Sequence, residues 1–136
     1  MVKGKILLIE KKDQVSAHNL TSALRQCGFE IPLIIQDASQ ALAYLKSNSV
    51  DSIIIDVGSD ENGALEAAND VWRSNETPVI FLSTNLQQEF INSALACEPY
   101  GILNKPWDIH QLDATVSATA AFPSRSKAAA MFSYRP

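Results

Sequence analysis

The chain has 136 residues, of which 46% are hydrophobic and 19% are charged, and its formal net charge is −4. This length and balance predict one globular domain with its own core, and the negative charge argues against a general nucleic-acid-binding surface. No apolar run approaches the ~18 residues of a membrane span and no signal peptide opens the chain, so we expect a cytoplasmic location.

The two cysteines, Cys27 and Cys97, are too few and too far apart for a disulfide framework or a metal site. Each falls in a helix-like pattern. We therefore expect both to be small buried hydrophobic residues in a reducing compartment.

The first half of the chain predicts two strand–helix pairs. Residues 6–9 form a short apolar run that is typical of a buried strand. Asp13 can cap the helix that follows, and Gly28 can end it. Residues 32–35 predict a second strand, and apolar residues at helical spacing predict a helix over 38–45.

The second half continues the same alternation. Residues 52–55 form the most β-branched run, which predicts the central strand of a sheet. The later elements are a loop at 57–63, a helix at 65–72, a strand at 78–82, a helix at 87–96, a strand at 101–104 and a helix at 107–121. Five strands alternating with five helices predict a three-layer α/β fold, with helices on both faces of a parallel sheet.

Four polar side chains stand where four of the predicted strands end: Glu10, Asp56, Ser83 and Lys105. The carboxyl ends of parallel strands meet at one edge of the sheet, which is where open α/β sheets bind ligands. A carboxylate there can act as a nucleophile or hold a hard cation, while an ammonium and a hydroxyl can bind phosphoryl oxygens. Together the four predict a phosphate-sized site.

Each of these residues also has a simpler interpretation. Asp56 could accept hydrogen bonds within a turn, and Glu10 and Lys105 could be solvated surface charges. Ser83 could cap a turn or helix, with Thr84 and Asn85 as rivals for that role. Their coincidence at four strand ends is what favours a functional site.

The segments at 6–10, 51–56, 78–84 and 101–107 resemble the receiver domain of two-component response regulators. The specific signal is an aspartate ending the third strand together with a later Lys-Pro-aromatic motif, here Lys105-Pro106-Trp107. The resemblance covers residues 3–121, and we expect residues 122–136 to be a C-terminal tail or a linker. It implies a flavodoxin-like five-stranded sheet in the order 2-1-3-4-5.

The resemblance also implies the roles of the site residues. Asp56 would accept a phosphoryl group, Lys105 would contact that group, and Ser83 would supply the switch hydroxyl. Glu10 and Asp56 would hold Mg²⁺. The Lys105-Pro106 bond would be cis, a conformation whose energy cost is small only before proline. A signalling domain of this kind is not a turnover enzyme.

The sequence departs from the family pattern at three places. Lys11 occupies the position of a second acid, and its ammonium would oppose a bound cation by up to ~4 kcal/mol at ~4 Å. The loop after Asp56 lacks the usual Met-Pro and is one residue shorter before Gly63. Ile102 stands where the family has an aromatic switch, and Tyr100 could share its face only if the strand register extends that far.

Two functions follow from these residues. In the first, Asp56 receives a phosphoryl group from a histidine kinase or phosphotransfer protein, and a face of the fourth helix, fifth strand and fifth helix then binds an output domain or a second copy. In the second, Lys11 pairs with Asp56 and the domain docks to partners without phosphorylation. A flavodoxin-like enzyme is disfavoured because no phosphate-binding loop follows the first strand.

Overall fold

The computed structural model describes residues 2–10, 14–58, 60–75 and 77–121. The strands are β1 (Gly4–Ile9), β2 (Phe29–Ile35), β3 (Ser52–Asp56), β4 (Val79–Ser83) and β5 (Gly101–Asn104), and the helices are α1 (Gln14–Gln26), α2 (Ala38–Leu45), α3 (Glu61–Asn75), α4 (Gln88–Ala96) and α5 (Ile109–Ala121). The roles predicted for Lys11 and Asp13, and the predicted tail at 122–136, lie outside the described residues.

All five strands belong to one parallel sheet in the order β2-β1-β3-β4-β5, which confirms the expected flavodoxin-like topology. β3 is central, and its five residues are all buried. A strand buried on both faces has to be apolar throughout, which is why Ile53, Ile54 and Ile55 run together.

The sheet separates two hydrophobic cores. One core packs β-strand residues such as Ile53, Ile55 and Phe81 against α2, α3 and α4. The other packs Ile54 and Leu82 against α1 and α5. Because successive side chains of a strand point to opposite faces, adjacent isoleucines of β3 serve different cores.

Some element boundaries differ from the sequence prediction. β2 begins at Phe29, three residues before Pro32, and α5 begins at Ile109, two residues after Trp107. α3 begins at Glu61, inside the stretch that the sequence suggested as a loop. The predicted stop of α1 is confirmed, since the helix ends at Gln26 and Gly28 has a φ of 103°, a conformation that favours glycine.

β2 contains an irregularity at its proline. Lys5 pairs with Glu30 and Leu7 pairs with Leu33, so β2 has one residue more than β1 between these two pairs. Pro32 lies in that stretch and has no N–H to donate, which is tolerated because β2 is an edge strand.

No helix of the described part of the chain is long and apolar enough to cross a membrane.

Candidate functional site

The carboxyl edge of the sheet brings Asp56 and Lys105 together. Asp56 is the last residue of β3, and only 2% of its side chain is exposed. Lys105 follows β5, and its ammonium forms an ion pair with the Asp56 carboxylate. The Lys105-Pro106 bond is cis, as expected. Two residues 49 positions apart therefore meet at the predicted edge.

Glu10 and Asp56 line one cavity of about 630 Å³ at this edge of the sheet. Glu10 is held at the end of β1, where its backbone N–H donates to the carbonyl oxygen of Ile35 at 2.9 Å. The cavity continues between the start of α2 and the inner face of α3, and its other acidic lining residues are Asp37, Asp60, Glu66 and Asp70. Neither Ser83 nor Lys105 lines it.

Ser83 lies at the expected strand end, but its hydroxyl is engaged locally. The residue is 1% exposed. Its Oγ–H donates to the carbonyl oxygen of Asn85 at 3.2 Å, and its Oγ accepts from the backbone N–H of Asn85 at 3.0 Å. The turn-capping interpretation of Ser83 is thus the one seen in this state of the molecule.

The loop between Asp56 and α3 is held at both ends. The N–H of Val57 donates to the carbonyl oxygen of Leu82 at 2.8 Å, which extends the sheet by one residue. At the other end the carboxylate of Asp60 accepts from the N–H of Gly63 at 3.0 Å, so Asp60 is the N-cap of α3. A Cβ at Gly63 would lie 2.3 Å from that carboxylate.

The sequence prediction placed a loop at 57–63, so it included neither this cap nor the start of α3 at Glu61. An aspartate followed by a glutamate is a recognisable helix start, because acidic groups are favoured at the first turn. Asn85 was expected only as a possible turn or helix cap, and its contact with α3 has no local signal in the sequence. Asn85 donates from Nδ2 to Oε2 of Glu61 at 2.6 Å, a contact across 24 positions of sequence.

Tyr100 and Ile102 pack on opposite faces of the sheet. Ile102 is 2% exposed and lies in the core against α2, α3 and α4. Tyr100 lies in the core against α1 and α5, and burial raises the pKa of its phenol. β5 begins at Gly101, so the alternation does not extend back to Tyr100. Tyr100 therefore does not replace the missing aromatic at Ile102.

The cysteines follow the sequence prediction in part. Cys97 is buried in the α4 side of the core, and burial raises the pKa of its thiol. Cys27 is only partly buried, and its thiol pKa is raised by burial and by the nearby Asp113 carboxylate. Neither thiol lies at the carboxyl edge of the sheet.

A known family has this fold and this strand-end pattern. The model of the response regulator receiver domain matches residues 6–117. The chain belongs to the response regulator receiver domain family. It is therefore a receiver domain of the kind found in two-component signalling.

Among curated proteins, the transcriptional regulatory protein PdtaR of Mycobacterium tuberculosis is 24% identical over 106 residues, which are 78% of this chain and 52% of PdtaR. The chain thus spans about half the length of the curated relatives it matches. PdtaR is consequently a guide to the family and not to the activity of a whole protein.

Solved structures share the fold. The receiver domain of an HD domain-containing protein from Pseudomonas fluorescens Pf-5 superposes with a TM-score of 0.77 at 23% identity, over 90% of this chain and 98% of that one. The receiver domain of the sensor histidine kinase PA1611 from Pseudomonas aeruginosa PAO1 superposes with a TM-score of 0.72 at 21% identity, over 87% of this chain and 98% of that one. That structure has a magnesium ion coordinated in its active site cleft.

Proposed function

We propose that this receiver domain accepts a phosphoryl group on Asp56 from the phosphohistidine of a kinase or phosphotransfer protein. The observation that carries the proposal is the Asp56 carboxylate, which ends the central strand, lines an open cavity and is paired with Lys105. A carboxylate in the wall of this cavity can act as a nucleophile, and the ammonium next to it can bind the phosphoryl oxygens.

The proposed phosphoryl transfer exchanges one bond to phosphorus for another and changes no oxidation state. The N–P bond of the phosphohistidine breaks, a bond forms between phosphorus and a carboxylate oxygen of Asp56, and the imidazole leaves with the bonding electron pair. In the acyl phosphate so formed, the negative charge lies on the phosphoryl oxygens, and the Lys105 ammonium, whose side chain is 22% exposed, would pair with them. The hydroxyl of Ser83 would donate to a second phosphoryl oxygen after leaving its turn.

The donor atoms at the site suit Mg²⁺. Glu10 and Asp56 line the same cavity, and Mg²⁺ in proteins is bound through one or two carboxylates, with water and phosphate oxygens completing its shell. When bound there, the ion would neutralise charge on the phosphoryl oxygens. Within the described ranges no three acidic, histidine or cysteine side chains gather as a metal site.

Phosphoryl transfer is tested by intact mass spectrometry with Mg²⁺ and a small phosphoryl donor such as acetyl phosphate. We expect a gain of one phosphoryl group that Asp56→Asn abolishes. Asp51→Asn is the matched control, because Asp51 precedes the opposite end of the same strand and should leave labelling unchanged. Beryllofluoride with Mg²⁺ should shift the amide resonances around Asp56 and Ser83.

The competing function is docking without phosphorylation. The cation described on Asp56 is Lys105, whereas the Lys11 of that hypothesis lies outside the described residues. Our proposal would be contradicted if the wild type gained no phosphoryl mass and showed no amide shifts with beryllofluoride at millimolar Mg²⁺. If the Lys11→Asp variant then showed both the mass gain and the shifts, Lys11 would be identified as the cause.

We further propose that the face made by α4, β5 and α5 binds the output domain or a second copy. Its exposed residues include the polar side chains of Gln88, Asn92, Asn104 and His110. Within the described part of the chain, the exposed large apolar side chains are elsewhere, at Val2, Leu33 and Ile34. An interface of polar contacts suits reversible association, and sedimentation velocity with and without beryllofluoride measures it.

A further inference from the structure

Asn85 connects three elements around the site through its backbone and its side chain. Its N–H and C=O hold the Ser83 hydroxyl. Its side-chain oxygen accepts from the N–H of Gln87, the residue before α4, at 3.0 Å. Its side-chain nitrogen donates to Glu61, the first residue of α3, at 2.6 Å. A change at any of these contacts therefore affects the others.

The contact with Glu61 is a short side-chain hydrogen bond that restrains this loop. A hydrogen bond to an ionised carboxylate is shorter and about twice as strong as a neutral one. Glu61 also follows the proposed phosphoacceptor Asp56 by only five residues.

The turn competes with phosphoryl binding for the Ser83 hydroxyl. A serine has one O–H to donate, and here it donates to Asn85. Ser83 can donate to a phosphoryl oxygen on Asp56 only after this bond is given up. Whatever holds Asn85 in place therefore opposes recruitment of the hydroxyl.

We propose that Asn85 and Glu61 form a latch that keeps the Ser83 hydroxyl in its turn until a phosphoryl group is bound. The proposal rests on the proposed function of Asp56 and names residues that regulate that site. Asn85 and Glu61 are positioning residues, since they act through Ser83. Because Asn85 also contacts the residue before α4, opening the latch frees the start of that helix.

The test compares Glu61→Ala with Glu61→Gln. Both variants remove the same negative charge, but glutamine keeps an oxygen that can accept from Asn85. We expect Glu61→Ala to bind beryllofluoride, in the presence of Mg²⁺, about two- to tenfold more tightly than Glu61→Gln, the range that one net hydrogen bond supplies. The apparent affinity is read from amide shifts near Asp56.

Ser83→Ala separates a latch from a general structural effect. Without the hydroxyl, Glu61→Ala and Glu61→Gln should bind beryllofluoride equally, because there is no donor to hold back. The side-chain NH₂ resonances of Asn85 give a second measurement, and their exchange with solvent should be faster in Glu61→Ala than in Glu61→Gln.

The outcomes are distinguishable. Equal affinities of the two Glu61 variants, with the wild type still responding, overturn the latch and leave the phosphoacceptor proposal intact. An affinity difference that persists after Ser83→Ala also overturns it, since Ser83 is then not the group held. A response in Glu61→Ala but not in the wild type supports a strong latch. No response in any variant overturns both proposals.

Discussion

The backbone N–H of Lys105 donates to the carbonyl oxygen of Ser83 at 3.0 Å. This bond extends the β4–β5 ladder one residue beyond the end of β5 and follows the pairing of Ser83 with Asn104. It holds the backbone of Lys105 at the sheet edge, from which the ammonium reaches Asp56. Backbone register thus places the ion pair, and the side chains complete it.

Replacing Lys105 by methionine should destabilise the domain. The Asp56 side chain is only 2% exposed, so its carboxylate would lose its cation in a place that water reaches poorly. We expect a loss of about 2 kcal/mol in the free energy of unfolding, within the range for one hydrogen bond to a charged group. Urea denaturation at pH 7 measures it.

Asp56→Asn completes a double-mutant cycle for this pair. In the Asp56→Asn background, Lys105→Met should cost much less than in the wild type, because the carboxylate that Lys105 pairs with is already absent. Equal costs in the two backgrounds would mean that the ion pair contributes nothing to stability in solution.

Ile102 should tolerate a smaller residue better than the aromatic that its family usually has there. It is 2% exposed and shares a core with Phe81 and Phe90, whose rings already meet edge to face at 6.3 Å. Ile102→Val should cost about 1 kcal/mol, whereas Ile102→Tyr should cost more, from overpacking of about 1–3 kcal/mol and a buried hydroxyl. Urea unfolding ranks the two variants.

A second variant tests the assignment of faces. Tyr100→Phe combined with Ile102→Val should be additive within about 0.5 kcal/mol, because the two residues pack in different cores. A larger coupling energy between them would contradict their placement on opposite faces of the sheet.

The effect of Gly63→Ala should depend on Asp60. In the wild type, the added Cβ would displace the Asp60 carboxylate, so the helix gains propensity but loses its N-cap. In the Asp60→Ala background only the gain is left. The change in unfolding free energy caused by Gly63→Ala should therefore be about 1 kcal/mol more favourable in the Asp60→Ala background than in the wild type. Thermal or urea unfolding of the four proteins measures it, and equal changes in the two backgrounds would rule out the cap.

The pH dependence of stability should include a contribution from Asp113. The Lys3 ammonium donates to its carboxylate at 2.7 Å, and this hydrogen bond lowers the pKa of Asp113 below its usual 3.8. A carboxyl group whose pKa is lower in the folded state stabilises the fold above the unfolded pKa. That contribution is lost as the pH falls through the folded pKa.

Lys3→Met measures this contribution. The pair is exposed, with 43% of the Lys3 side chain and 37% of the Asp113 side chain accessible, so the wild type should exceed the variant by at most about 1 kcal/mol at pH 7. The difference in unfolding free energy should shrink as the pH is lowered below about 4 and also in high salt. A difference that grows in acid would contradict the sign of the shift.

Strand ends were the part of the site that could be predicted from sequence. The parallel topology requires Asp56 and Lys105 to share one edge, and the ion pair between them is consistent with that rule. The cap by Asp60 could also have been predicted, because a helix start depends on neighbouring residues only. The bond between Asn85 and Glu61 could not, since it joins the segment after β4 to the start of α3, 24 positions away in the sequence.

The sequence by itself determined the number, type and order of the elements, because apolar runs and helical spacing are local properties of the chain. It also determined that acidic, basic and hydroxyl groups stand at the strand ends. Only the tertiary structure decided that the Ser83 hydroxyl turns to Asn85 and that Tyr100 faces α1 and α5. Both lie where a strand begins or ends, and there the alternation that predicts side-chain direction no longer holds.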